Sequence, residues 1–258
     1  MEIKTILVHL DPSEYSSPRV DAAILLAAKY RASLRGVYTS SPGQGAVESR
    51  AEAEFFKKTS LAGLEGEWTL IDPGLTPAGS IEALIYEAHF ADLIIAGQPG
   101  PASSRLCPPK LVEHLLLSSG RPVLIIPYAG AFPTLGDRIL VAWMPGAKST
   151  RALNDALPLL KTAQHVCLFS VNSQVTAEEQ EPKKIGSFLL RHGIAAKTGE
   201  VPLSEIGVGN ILLNLVTDEG IDLLVTGSHI QMRGARLDPG PVGEYLLKHM
   251  TAPVLMSQ

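Results

Sequence analysis

Short apolar runs alternate with longer amphipathic stretches along the whole chain. In residues 1–130 the runs rich in Val, Ile and Leu predict five strands, at about 5–10, 34–39, 68–72, 93–97 and 123–127. The amphipathic stretches between them predict four helices, at about 16–29, 47–61, 81–90 and 110–118. The strands are continuously apolar, which is typical of strands covered by helices on both faces, so the predicted sheet is parallel.

The rest of the chain repeats this pattern. Residues 4–8 resemble 137–141, and 91–97 resemble 221–227, so equivalent positions lie about 130 residues apart. The repeat predicts two tandem α/β domains, at 1–130 and 137–258, joined by a linker at 131–136. Right-handed crossovers between parallel strands make each domain a doubly wound sheet. The second domain is predicted to have helices at about 151–163, 185–192, 211–219 and 242–249.

Composition and charge exclude several classes of protein. Hydrophobic residues make up 45% of the chain and charged residues 19%, which is typical of ordinary globular domains and not of disorder. The net charge of −4 does not favour a nucleic-acid partner or an anionic membrane surface. No apolar run approaches the ~18 residues of a membrane helix and no signal-peptide pattern opens the chain, so we expect a cytoplasmic protein. The two cysteines, Cys107 and Cys167, occupy non-equivalent positions of the repeat and predict neither a disulfide nor a zinc site.

Two loops of the first domain are candidates for ligand binding. In a doubly wound sheet, ligands bind outside the carboxyl ends of the strands, where the winding direction reverses. Asp11-Pro12-Ser13-Glu14 follows the first strand, and Gly97-Gln98-Pro99-Gly100 follows the fourth. Glycines allow backbone amides to approach an anion, and the next helix directs its positive end at a phosphate.

Four stretches of the chain together resemble one known family. They are residues 6–13, 119–130, 138–143 and 250–257. With them the chain resembles the tandem universal stress proteins (UspA-like), whose fold belongs to the adenine-nucleotide alpha-hydrolase-like class. The resemblance implies a five-stranded parallel sheet of strand order 3-2-1-4-5, flanked by four helices, in each domain. It also implies an aspartate near the adenine and a G-x2-G-x9-G-[S/T] loop around the phosphates.

In the first domain this resemblance selects Asp11, Gly97 and Gly100 as cofactor-binding candidates. The distal glycine and hydroxyl pair of the motif falls on Pro109-Lys110 or on Lys110-Leu111, so that Lys110 could supply a positive charge instead. ATP or AMP is the candidate ligand there, although the altered motif does not require any cofactor.

The second domain departs further from the motif. Met144 stands at the aspartate position and Ile230 at the second glycine, while Gly227 and Gly240 keep the other two glycines. His229 stands where the family often places a residue near phosphate. The resemblance therefore gives Gly227, His229 and Gly240 as weaker candidates.

Each candidate also has a structural interpretation. Asp11 precedes a proline and could close a turn or cap the following helix. Gly97 and Gly100 could serve only to end the fourth strand and connect it to the next helix. His229 could hydrogen-bond to the loop backbone, and Arg233 and Arg236 could be solvated loop charges as well as ligands of an anion in the second cleft. His9 alternates along the first strand and is interpreted as structural.

No catalytic or metal-binding motif is present in the sequence. The chain contains no G-x-S-x-G, H-E-x-x-H or G-x-x-x-x-G-K-[S/T] pattern, and neither the HxGH nor the SGGxDS loop of enzymes that share the fold. We therefore expect a non-enzymatic stress-response protein that acts through a partner protein or a small ligand. The alternatives are an ATP-binding sensor that uses the first domain and an unrecognised enzyme on the same scaffold.

The last strand of each domain predicts how the domains associate. In the family, dimers form by pairing of these edge strands, here at about 122–127 and 253–257. Two such edges in one chain can satisfy each other, which predicts an intrachain pseudo-dimer with pseudo-twofold symmetry. A homodimer of the whole chain is a further expectation.

Overall fold

The chain divides into two compact units, Glu2–Ala131 and Phe132–Gln258, called here the first and second halves. The computed structural model describes residues 2–40, 45–72, 79–100, 110–172, 181–233 and 236–258. No helix among these residues is both long enough and apolar enough to cross a bilayer.

The first half is a parallel α/β domain. Its described elements are, in chain order, β1 (Thr5–Leu10), α1 (Ser16–Tyr30), β2 (Ser33–Thr39), α2 (Gly45–Leu61), β3 (Gly66–Ile71), α3 (Ser80–Ala88), β4 (Leu93–Gly97), α4 (Leu111–Ser118) and β5 (Val123–Ile126). The strands lie in the order β3-β2-β1-β4-β5, and every neighbouring pair is parallel. This confirms the predicted sheet and its strand order.

The second half repeats the arrangement. Its described elements are β6 (Arg138–Trp143), α5 (Ala147–Thr162), β7 (His165–Asn172), α6 (Glu181–Arg191), β8 (Lys197–Pro202), α7 (Gly207–Asp218), β9 (Leu223–Gly227), β10 (Gln231–Arg233), β11 (Arg236–Asp238), α8 (Gly240–His249) and β12 (Val254–Ser257). Here the order β8-β7-β6-β9-β12 is again parallel throughout. An additional antiparallel ribbon, β10 with β11, follows β9. The apolar pattern does not predict this ribbon, because each of its strands has only three residues.

The central strands form the core of each half. In β1 the side chains of Ile6, Leu7 and Val8 are fully buried, as are Leu224 and Val225 in β9. Consecutive buried residues on one strand require helices on both faces of the sheet, because successive side chains point to opposite faces. The unbroken apolar runs of the sequence therefore correspond to buried parallel strands.

A repeated aspartate holds the amino ends of the central strands together. The carboxylate of Asp92 accepts hydrogen bonds from the backbone N–H of Lys4, at 2.8 Å, and of Thr5, at 3.0 Å. Asp222, its counterpart, accepts from the backbone N–H groups of 136–138 at 3.0–3.1 Å. This pairing accounts for the same Asp in both copies of the repeat, at the end of the sheet opposite the candidate ligand loops.

Candidate functional site

In the first half, a small pocket lies at the carboxyl ends of β1 and β4. It encloses only about 30 Å³. Its lining comprises Asp11, Ser13, Tyr15, Arg19, Gly97, Gln98, Pro99, Gly100 and Tyr128. The structure thus brings together Asp11, Gly97 and Gly100, as the sequence predicts, but the space between them is about the size of one water molecule.

Arg19, on the second turn of α1, fills this cleft. Its guanidinium Nη2 lies 2.8 Å from Oδ2 of Asp11, and both side chains are at least 96% buried. Nη1 donates to the carbonyl oxygen of His9 at 2.9 Å, and Nε donates to that of Tyr15 at 3.1 Å. A buried charge is tolerated only when it is paired and hydrogen-bonded, and this network meets that requirement.

Both carboxylate oxygens of Asp11 have partners inside the first half. Oδ1 accepts a hydrogen bond from the backbone N–H of Ser13 at 2.8 Å, so Asp11 does close the turn that its position before a proline suggests. Burial opposes ionisation of this carboxyl group, but the charge of Arg19, with His9 and Ser13, outweighs it and lowers the pKa of Asp11 to about 2. Asp11 is therefore an anion whose charge is neutralised within the protein.

His9 completes the buried cluster. Its ring is fully buried, and its Nε2 lies 3.0 Å from the hydroxyl of Thr39. Burial lowers the pKa of His9 to about 4, although Asp11 opposes the shift. The interpretation of His9 as structural is confirmed, and the ring is neutral at physiological pH.

Of the remaining first-half candidates, Gly97 lines the small pocket and Lys110 lies at the start of α4. A Cβ at Gly97 would lie 3.1–3.2 Å from the Arg19 side chain, so this glycine makes room for Arg19. Lys110 precedes α4 with a left-handed φ of 58°, and it does not line the cleft. Pro109, which shares the altered motif with Lys110, lies outside the described residues.

The second half has a large pocket at the carboxyl ends of β6, β7 and β9, which extends to α7 and α8. Its volume is about 390 Å³, within the usual range of small-molecule sites. The lining comprises Ala142, Trp143, Met144, Ser149, Phe169, Val171, Val208, Leu212, Thr226, Gly227, His229, Gln231, Asp238, Pro239, Gly240, Pro241, Val242 and Gly243. The three second-half candidates therefore line one pocket, which is mostly apolar.

The two halves differ at both positions of this ion pair. With an offset of 133 residues, β1 aligns with β6, Asp11 aligns with Met144, and Arg19 aligns with Ala152. Both members of the buried ion pair are thus replaced by uncharged residues in the second half. Sequence reasoning missed Arg19, because an arginine in an amphipathic helix is usually solvated. Aligning the two halves over α1 and α5 is the signal that would have identified it.

The polar groups of the pocket lie on the β9 loop and at the start of α8. The backbone N–H of Gly240 donates to Oδ1 of Asp238 at 2.9 Å, and Pro241 has no N–H. His229 is exposed at the rim, where partial burial and then Lys148 lower its pKa. The side chains of Arg233 and Arg236, suggested above as anion ligands, lie outside the described residues.

Gly227 is required by close packing of backbone against backbone. A Cβ there would lie 2.8 Å from the carbonyl carbon of Lys148 and from the amide nitrogen of Ser149, at the start of α5. This contact explains the glycine at the end of β9 without a phosphate.

Replacing Gly227 with alanine is expected to lower the free energy of unfolding by about 1–2 kcal/mol, because backbone atoms of α5 must move. Urea denaturation followed by Trp143 fluorescence, in a Trp68→Phe background, measures this loss in the second half. Gly243→Ala is the control, because its Cβ would meet Pro239 at an ordinary 3.4 Å. Equal effects of the two substitutions would contradict the close-packing explanation.

Comparisons with known proteins identify the fold. No protein-family model matches the chain, and no curated protein matches it. A universal stress protein from Archaeoglobus fulgidus DSM 4304 is 15% identical, with a TM-score of 0.76, over 100% of this chain and 99% of that one. A functionally unknown protein from Pseudomonas aeruginosa PAO1 is 17% identical, with a TM-score of 0.69, over 99% of this chain and 92% of that one. The chain therefore has the tandem fold of a universal stress protein, which confirms the resemblance at the level of fold.

Proposed function

We propose that this chain is a universal stress protein-like, non-enzymatic binding protein whose ligand site is the second-half pocket. The observation that carries the proposal is the second-half pocket of about 390 Å³, which the three second-half candidates Gly227, His229 and Gly240 line together. A ligand needs an existing concave site, because opening a closed one costs free energy that binding must recover.

The polar groups of the second-half pocket support a binding role. Thr226 donates its hydroxyl to the carbonyl oxygen of Gly227 at 3.4 Å, and Asp238 accepts from the backbone of Gly240. A nucleophile needs an adjacent base to activate it, whereas these two side chains are engaged with backbone. An enzyme on the same scaffold stays the alternative, and turnover of a phosphorylated or adenylated substrate would favour it.

The ATP-binding sensor is the second candidate, because Asp11, Gly97 and Gly100 do line one cleft. In the small pocket that these residues line, Arg19 is paired with Asp11, and the Tyr15 and Tyr128 rings pack edge to face with centroids 5.9 Å apart. Nucleotide that co-purifies with the wild type and is lost in Asp11→Ala would favour this candidate. The intrachain pseudo-dimer, the homodimer and the cytoplasmic location stay predictions, and the partner protein stays unidentified.

A fluorescent probe tests the second-half pocket directly. Trp143 lines it, so in a Trp68→Phe background energy transfer from tryptophan to bound N-phenyl-1-naphthylamine reports occupancy of this site. We expect saturable transfer in this background. Gly243→Leu should abolish it by filling the pocket, whereas Gly243→Ala should preserve it, because the two variants differ only in added volume. Transfer that is absent, or unchanged in Gly243→Leu, would refute the site.

A further inference from the structure

We infer that Gln258 is a positioning residue for the second-half pocket, because its side chain holds the loop after β9, residues 228–231, where that loop forms one wall of the pocket. This inference rests on the proposed function and names a residue that shapes the same site. Gln258 follows β12 and is not one of the described residues that line the pocket. It therefore acts through the loop and not by contact with a ligand.

The side-chain amide of Gln258 binds both backbone groups of one residue of this loop. Its Oε1 accepts a hydrogen bond from the backbone N–H of Ile230 at 3.0 Å, and its Nε2 donates to the carbonyl oxygen of Ile230 at 2.7 Å. Only one orientation of the amide group satisfies both contacts, because its oxygen can only accept and its nitrogen can only donate. The two bonds therefore fix the position of Ile230 and the direction of its peptide groups.

This bridge continues the hydrogen bonding between β9 and β12 beyond the end of the two strands. Their last residue pair is Gly227 with Ser257, and the backbone N–H of Ser228 then donates to the carbonyl oxygen of Ser257 at 2.7 Å. One step further, the side chain of Gln258 supplies the donor and the acceptor that a neighbouring backbone supplies within a sheet. The first part of the loop is thus held almost as firmly as the strand that precedes it.

Ile230 lies between two residues of the pocket wall. Both His229 and Gln231 line the pocket, whereas the side chain of Ile230 is buried. His229 also lies beside the start of α8, since a Cβ at Gly240 would be 3.8 Å from the Cβ of His229. Moving Ile230 would move both of its neighbours, so the bridge from Gln258 sets the width of the pocket between the loop and α8. A wall that is already in place costs a ligand less free energy than one that must first be ordered.

The first half makes a related bridge from the opposite segment. Gln98 follows β4, and its Oε1 accepts a hydrogen bond from the backbone N–H of Tyr128, after β5, at 3.2 Å. At the repeat offset of 130 residues, Gln98 aligns with Ser228, so in the second half the bridging glutamine stands after the last strand instead. Gln98→Met is therefore a matched control, because it removes a bridge of the same kind from the half that lacks the large pocket.

Gln258→Met tests the positioning role, because methionine has a similar length but cannot bridge the two backbone groups of Ile230. In the Trp68→Phe background, we expect N-phenyl-1-naphthylamine to bind this variant about ten-fold more weakly, as measured by energy transfer from Trp143. Gln98→Met in the same background should leave the affinity unchanged. Equal affinity in Gln258→Met and in the unsubstituted background would overturn the inference.

The titration of His229 is a second readout, and it needs no ligand. In the wild type, partial burial and then Lys148 lower the pKa of His229. Loss of the bridge should release the ring from the wall, so in Gln258→Met its pKa, measured by NMR and assigned with His229→Asn, should rise toward 6.5. A general loss of stability would not move this pKa in folded protein.

The two measurements separate the inference from the proposed function. An unchanged pKa of His229 in Gln258→Met would overturn the positioning role even where the probe binds the wild type. Failure of the probe to bind the wild type would overturn the proposed site, and the pKa of His229 would then still show whether Gln258 holds the loop.

Discussion

Replacing Arg19 with methionine is expected to lower the free energy of unfolding of the first half by about 3–5 kcal/mol, because it leaves a buried carboxylate without its partner. Asp11 is only 4% exposed and its Oδ2 lies 2.8 Å from Nη2 of Arg19. The substitution also removes the donors to the carbonyl oxygens of His9 and Tyr15. Methionine keeps much of the length of the side chain, so the loss reports charge and hydrogen bonding more than a cavity.

Urea denaturation followed by Trp68 fluorescence, in a Trp143→Phe background, measures this loss of stability in the first half, because Trp68 lies in β3. The double variant Arg19→Met with Asp11→Leu should recover much of the stability, because an apolar pair of similar volume avoids the desolvation of both charges. Lys248→Met is the control for loss of an ion pair, since its pair with Glu244 is exposed and should contribute less than about 1 kcal/mol. If Arg19→Met lowered the free energy of unfolding as little as Lys248→Met does, the prediction for the buried ion pair would be wrong.

Lowering the pH from 7 to 4 is expected to reduce the free energy of unfolding by about 3 kcal/mol through His9 alone. Burial lowers its pKa from 6.5 to about 4 in the folded protein. The unfolded chain therefore binds a proton below pH 6.5 that the folded chain does not bind. The contribution of His9 is fully present above about pH 6.5 and is lost as the pH falls toward 4.

Asp11 loses its contribution to stability at lower pH than His9 does. Its folded pKa of about 2 lies below the unfolded value of 3.8, so its contribution is present above pH 3.8 and is lost only as the pH falls toward 2. The pH dependence of unfolding in the wild type should therefore exceed that in His9→Gln between pH 7 and 4. Glutamine can still hydrogen-bond to Thr39 but does not titrate. Identical pH dependence in both proteins would show that His9 ionises normally in the fold.

The local pattern of apolar and polar residues predicts the strands and helices, but it does not predict which side chains meet at the site. β1 and β4 have the predicted bounds, and no other strand of the first half differs by more than two residues, because buried parallel strands are marked by unbroken apolar runs. The same reasoning assigned Asp11, Gly97 and Gly100 to one cleft, since the carboxyl ends of neighbouring parallel strands meet at one edge. The contents of that cleft depend on Arg19, whose side chain reaches Asp11 only in the folded domain.

By itself the sequence determined the tandem repeat and the parallel sheet of each half, because these depend on apolar periodicity and on the chirality of crossovers. The strand order was implied by the resemblance to the universal stress proteins, and the edge at which a ligand would bind stays a prediction. Only the tertiary structure decided that Arg19 pairs with Asp11 inside the first half and that an open pocket lies in the second half. The ion pair joins the loop after β1 to α1, and the uncharged Met144 and Ala152 stand at the two aligned positions of the second half. Free volume and desolvation depend on which side chains meet in space, and the linear pattern of polar and apolar residues does not carry that information.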